Sequence, residues 1–108
     1  MDARNLLIHA ARAAEIQGKY YIAYGERETN EGIDIGNSRL WNPIIYNEDA
    51  FSLMVNLYMD LYLSDRRVTV NNPDTGVSYT QPINHGEDRE KATRLAIVNC
   101  AAIVGENL

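Results

Sequence analysis

The residues that could do chemistry are few and scattered. The chain has two histidines, His9 and His85, and one cysteine, Cys100. They form no H-x-x-x-H, H-E-x-x-H or cysteine pair, so no metal site or metal cofactor is expected. His9 sits among alanines and is read as a helix-interface histidine. His85 precedes Gly86 and is read as a loop or capping residue. Cys100 lies in the apolar run NCAAIV, where it reads as a small buried hydrophobe. It lacks the electropositive, accessible setting that a nucleophilic thiolate needs. Ser38, Ser52, Ser64 and Ser78 sit in no G-x-S-x-G elbow. The 7 glycines build neither G-x-G-x-x-G nor a Walker A loop. No catalytic or cofactor-binding residue is assigned, and the balance lies against an enzyme.

The charged residues point the same way. There are 10 basic and 15 acidic side chains, a formal charge of -5, which suits solubility better than phosphate neutralisation. Nucleic acid is therefore not an expected partner, and mimicry of it by scattered carboxylates is the weaker use of that charge. Glu26, Glu28 and Glu31 belong to a polar loop, while Glu48 and Asp49 fit a helix N-terminus, where the dipole favours them. The basic groups Arg66-Arg67 and Arg89/Lys91/Arg94 have no interleaved aromatics of the kind that stack single-stranded bases. Arg94 is expected to pair with Asp49 or another carboxylate. That leaves seven tyrosines against one phenylalanine. Tyrosine suits surfaces that are half apolar and half wet, as interfaces are. Tyr20 and Tyr24 on one face of a strand, with Tyr21 on the other, are the candidate interaction surface. The competing reading is a buried core edge.

The elements that position these residues follow from periodicity and turn chemistry. Asp2 to Gln17 reads as a helix capped by Asp2 and stopped by Gly18. KYYIAY, 19–24, reads as a strand. After the polar GERETNE, GIDI at 32–35 reads as its hairpin partner. Asn47 to Asp65 reads as a helix capped by Asn47. Phe51, Met54, Val55, Tyr58 and Tyr62 lie on one face and Leu53, Leu57 and Leu61 on another, which would make it central. RRVTVN and VSYTQ flank the turn sequence NPDTG and form a second hairpin with Val68, Val70, Val77 and Tyr79 inward. Glu87 to Gly105 reads as the last helix. The expected architecture is one α+β domain over 1–108, helix-hairpin-helix-hairpin-helix, with an antiparallel sheet packed on one side by helices.

The single tryptophan stands in RLWNPIIYNEDAF, before the second helix. Trp41 is read as a peg covering the start of that helix, with Tyr46 and Phe51 available for a hydrophobic staple. Trp41-Asn42-Pro43, Asp49-Ala50 with Leu53, and Ala92-Thr93-Arg94-x-Ala96-Ile97-Val98 together resemble small proteins encoded by tailed bacteriophages and prophages, the NinX-like kind. In those proteins an N-P stretch precedes a D-A helix, and an A-T-R-x-A-I-V helix closes the chain. The resemblance covers the second half and the element order. It implies a phage accessory protein without an assigned reaction and transfers no catalytic residue. Trp41, Asn42, Pro43, Asp49 and Arg94 are read as structural.

No basic-then-apolar leader opens the chain and no run is long enough to span a bilayer, so no membrane partner and a bacterial cytoplasmic location are expected. The expected function is binding of a host or phage protein. The alternatives are a small enzyme or ligand-binding domain with its own pocket, and a self-assembling homo-oligomer.

Overall fold

The computed structural model describes residues 1–25 and 29–108, with only the backbone of Thr29. Glu26 and Glu28 of the expected polar loop lie outside the described residues. Among the described residues three helices, α1 (Ala3–Ala13), α2 (Asn47–Asn56) and α3 (Arg89–Glu106), combine with six strands. The strands are β1 (Lys19–Tyr24), β2 (Thr29–Asp34), β3 (Leu40–Trp41), β4 (Asp60–Leu63), β5 (Arg67–Asn72) and β6 (Val77–Pro82). The fold is α+β. The expected hairpins are each extended by a third strand, giving two antiparallel sheets ordered β1-β2-β3 and β4-β5-β6. The single sheet covered on one side by helices is therefore corrected. α1 packs against α3 and also borders β1 and β2, while α3 lies on β5 and β6 with α2 at its side.

One apolar core links all these layers, from Leu7 and Ala10 on α1 through Ile33 and Trp41 to Val68, Val70, Val98 and Ala101. The register places Val70 opposite Tyr79 and Val68 opposite Gln81, so Val68, Val70, Val77 and Tyr79 share the inner face as expected. The close approach of α1 and α3 depends on Gly105. A Cβ there would stand 1.8 Å from the His9 carbonyl oxygen. Gly105 thus lies inside α3, which continues to Glu106, and does not mark the helix end.

The largest correction concerns the second helix. It ends at Asn56, and residues expected in its last two turns form β4. The Tyr58 amide donates to the Val55 carbonyl and the Met59 amide to the Met54 carbonyl, with Tyr58 left-handed at φ 52°. This paired closure is the Schellman arrangement, usually carried by glycine. α1 ends in the same way with Glu15 at φ 57°, so Gly18 is not its stop. Gly18 is needed for a different contact: a Cβ there would meet the Asp34 carbonyl oxygen at 2.2 Å.

The turn between β5 and β6 is built as its residues suggest. Asn72 Oδ1 accepts from the Thr75 amide and hydroxyl, and its Nδ2 donates to the Leu57 carbonyl at 2.8 Å. One buried asparagine thus closes the hairpin and satisfies a carbonyl left open at the end of α2.

Candidate functional site

The W-N-P segment is held by side chains from three elements. Trp41 is buried on β3, paired with Ile33 of β2. Asn42 is fully buried: its Nδ2 donates to the Glu31 carbonyl and its Oδ1 accepts from the Ile44 and Ile45 amides. Asp49, in the first turn of α2, accepts from the Asn42 amide at 2.9 Å and from Arg39 Nη2 at 2.6 Å. The expected Asp49–Arg94 pair is absent, because Arg39 occupies that carboxylate from the strand side. Arg94 instead donates from Nε to the Ile44 carbonyl at 2.8 Å and from Nη1 to Asn47 Oδ1 at 2.7 Å. Asn47 is consequently the first residue of α2 and not its cap. The capping position falls to Tyr46, whose side chain makes no cap bond.

The buried side chains of Asn42 and Asp49 have their oxygens and amide partnered within the chain, while Arg39 stays half exposed beside them. The arrangement is a clamp that joins β3, the start of α2 and α3. Tyr46 and Phe51 do not form the expected staple; both are exposed.

The tyrosine strand divides differently from the expectation. Tyr20 is half-buried, its hydroxyl donating to Glu31 Oε2 at 2.5 Å while the Arg4 guanidinium lies 5.4 Å from its ring centroid. The hydrogen bond to Glu31, then burial, push the Tyr20 phenol up to about 12. That tyrosine is committed within the chain. Tyr21 and Tyr24 remain exposed on β1, an edge strand. Burial pushes the Cys100 thiol up to about 11, well away from the thiolate range that nucleophilic attack requires.

The larger apolar surface lies elsewhere. Phe51 and Met54 of α2, Leu61 and Leu63 of β4, and Thr93 and Ile97 of α3 line a groove of about 320 Å³. Leu61 and Leu63 stand opposite Val70 and Val68, so they continue the inner face of the sheet past the cover of α3. Asn47, Arg89, Glu90 and Arg94 also line it. Of these, Arg94 and Glu90 both bond Asn47, and Arg89 donates to the Ser64 carbonyl. The groove walls therefore offer apolar contact and little free hydrogen-bonding chemistry. Of its lining, Phe51 and Leu63 are exposed; Val55, Tyr58 and Tyr62 are exposed elsewhere on or after α2, Tyr62 on the opposite face of β4, and sequence had assigned Phe51, Val55, Tyr58 and Tyr62 to one face of a central helix. The signal that could have exposed this was the alternation Leu61-Tyr62-Leu63, which fits a strand as well as a helix.

A polar cleft of about 620 Å³ lies between Asp65-Arg66 and the Ile83–Glu87 loop, with His85 and Arg89. Among the described residues no three His, Cys, Asp or Glu side chains gather as a metal site, and no helix is long and apolar enough to cross a membrane. His9 Nδ1 is the one buried side-chain polar atom without a partner among the described residues. No family model matches the chain, and no curated protein or solved structure does either.

Proposed function

We propose that this chain is a protein-binding module, a phage- or prophage-encoded accessory protein acting on a protein partner in the bacterial cytoplasm. The observation that carries the reading is the exposed apolar surface where α2 meets β4, around the groove of Phe51, Met54, Leu61 and Leu63. Apolar surface of this kind, beside an unpaired strand edge, is costly to leave in water and marks association sites. The buried polar groups of Asn42 and Asp49 are consumed by the fold, which favours binding over catalysis at the W-N-P clamp. Tyr21 and Tyr24, first favoured as the interaction surface, supply a smaller second patch.

The test is capture of proteins from bacterial lysate by the tagged chain and by a Phe51→Asp/Leu63→Asp variant, with circular dichroism confirming that the variant folds. The reading predicts a stoichiometric partner, self or foreign, that the variant loses. Equal capture by both would place binding elsewhere, and a Tyr21→Asp/Tyr24→Asp variant would then identify the β1 edge.

A further inference from the structure

The W-N-P clamp holds one cation that the fold uses only in part. The Asp49 side chain is 4% exposed and accepts from Arg39 Nη2 at 2.6 Å, while the Arg39 side chain stays 54% exposed. A guanidinium has five N–H donors in a rigid fork. Among the described residues, Arg39 Nε and Nη1 have no partner. A buried carboxylate thus fixes a guanidinium whose remaining donors are open to solvent, the arrangement in which arginine takes a second oxyanion.

Arg39 and Asp49 border a cleft of about 370 Å³, lined also by Asn30 of β2, by Ser38, and by Tyr46 and Glu48 at the start of α2. The side chains of Asn30, Ser38 and Tyr46 have no hydrogen-bond partner among the described residues, so unused polar groups gather here. Ser38 carries a further sign. The Arg39 amide donates to the Gly36 carbonyl at 3.1 Å across Asn37 and Ser38, which stand at φ 56° and 59°. In a hairpin turn with both central residues left-handed, the second is the place that glycine fills most readily. A serine there bears a steric cost that glycine avoids, and it stands on the cleft wall.

We infer that this cleft binds a small amino-acid zwitterion, its carboxylate on Arg39 and its ammonium on Glu48. Asp49 is already bonded to Arg39 and to the Asn42 amide, which leaves Glu48 as the free carboxylate of the lining. Glu48 is exposed and in no ion pair among the described residues. It opposes a bare anion such as phosphate and favours a carboxylate that brings its own positive charge. The volume lies at the small end of ligand sites, roughly 300–1,000 Å³, which suits such a molecule. The cleft shares no lining residue with the α2–β4 groove, so the two sites act independently.

The experiment is amide NMR of the isotope-labelled full chain, titrated with each common L-amino acid and, for comparison, with acetate and inorganic phosphate. At least one amino acid should shift the amides of Ser38, Arg39, Tyr46 and Glu48 with a Kd below about 1 mM, and acetate and phosphate should bind about tenfold more weakly. Glu48→Gln should weaken that amino acid by about tenfold and leave acetate no weaker, a change of preference that a merely structural residue would not give. Arg39→Lys, which keeps a charge beside Asp49 but loses the fork, should abolish binding. Should that variant fail to fold by circular dichroism, Ser38→Gly, which relieves the turn, should raise the thermal midpoint while weakening the amino acid severalfold. No shift at these amides from any amino acid up to about 10 mM overturns the site. Acetate or phosphate binding as tightly as every amino acid, in the native chain and in Glu48→Gln alike, overturns the zwitterion. Either failure leaves protein capture through the α2–β4 groove standing, since Phe51→Asp/Leu63→Asp tests that surface alone.

Discussion

Replacing Trp41 with alanine tests whether this residue is a peg or a platform. The side chain is 3% exposed, belongs to the shared core and sits on β3 opposite Ile33 of β2. A tryptophan buries roughly 150–250 Å², and at about 25 cal/mol per Å² that transfer alone is worth about 4–6 kcal/mol, an upper bound for an extended unfolded reference. Large-to-small core changes of this kind cost about 3–5 kcal/mol. A domain of this size has only about 5–15 kcal/mol in total, so the variant should retain its fold with a much reduced margin or lose it. Urea unfolding followed by far-ultraviolet circular dichroism is the assay, since the substitution removes the only tryptophan. With a slope of about 1.5 kcal/mol per molar for a chain of this length, the midpoint should fall by roughly 2–3 M. Trp41→Phe, which keeps a ring in the cavity, should lose clearly less. A loss under about 1 kcal/mol would refute the packing argument, because a side chain this buried cannot be deleted at that cost unless the site collapses completely.

Three further perturbations follow from the geometry. Tyr58→Gly should stabilise the chain by about 0.5–1 kcal/mol, since the left-handed backbone at φ 52° suits glycine; urea titration that finds destabilisation would contradict the helix ending placed there. Gly105→Ala should destabilise by about 1–3 kcal/mol, because the new methyl meets the His9 carbonyl oxygen and must separate α1 from α3; an unchanged thermal midpoint would show that the helices are not in that contact. Spectrophotometric titration at 295 nm should show one tyrosine ionising near pH 12, returning toward the ordinary value near 10 in Glu31→Gln. Because the folded phenol titrates above its unfolded value, its contribution to stability is complete below about pH 10 and is lost as pH rises from 10 to about 12.

Local chemistry was readable where a residue's own neighbours decide its structure. KYYIAY, the NPDTG turn and the acidic start of the last helix all form as their residues suggest. Structure set by a distant partner was not readable. β3 is two residues long and exists because Ile33 pairs with Trp41. The end of α2 was hidden twice: Leu53, Leu57 and Leu61 continue a helical spacing through it, and the left-handed residue that stops it is a tyrosine. The groove was missed for the same reason, since extending the helix to Asp65 placed Leu61 and Tyr62 on a buried element. Asp49 bonds Arg39, ten residues back in the chain, and not the expected Arg94, because the pairing is set by how β3 and α2 meet. The burial of Trp41 before α2 was legible from its place in the sequence. Which surface remained free was not, because exposure depends on what α3 leaves uncovered.

The most direct test of the central claim is photo-cross-linking in living bacteria, with a benzophenone side chain placed at Phe51, Leu63 or Tyr21. The account predicts protein adducts, to another copy or to a foreign partner, from Phe51 and Leu63. Adducts confined to Tyr21, or none from any of the three positions, would contradict the α2–β4 surface as the site through which this chain acts.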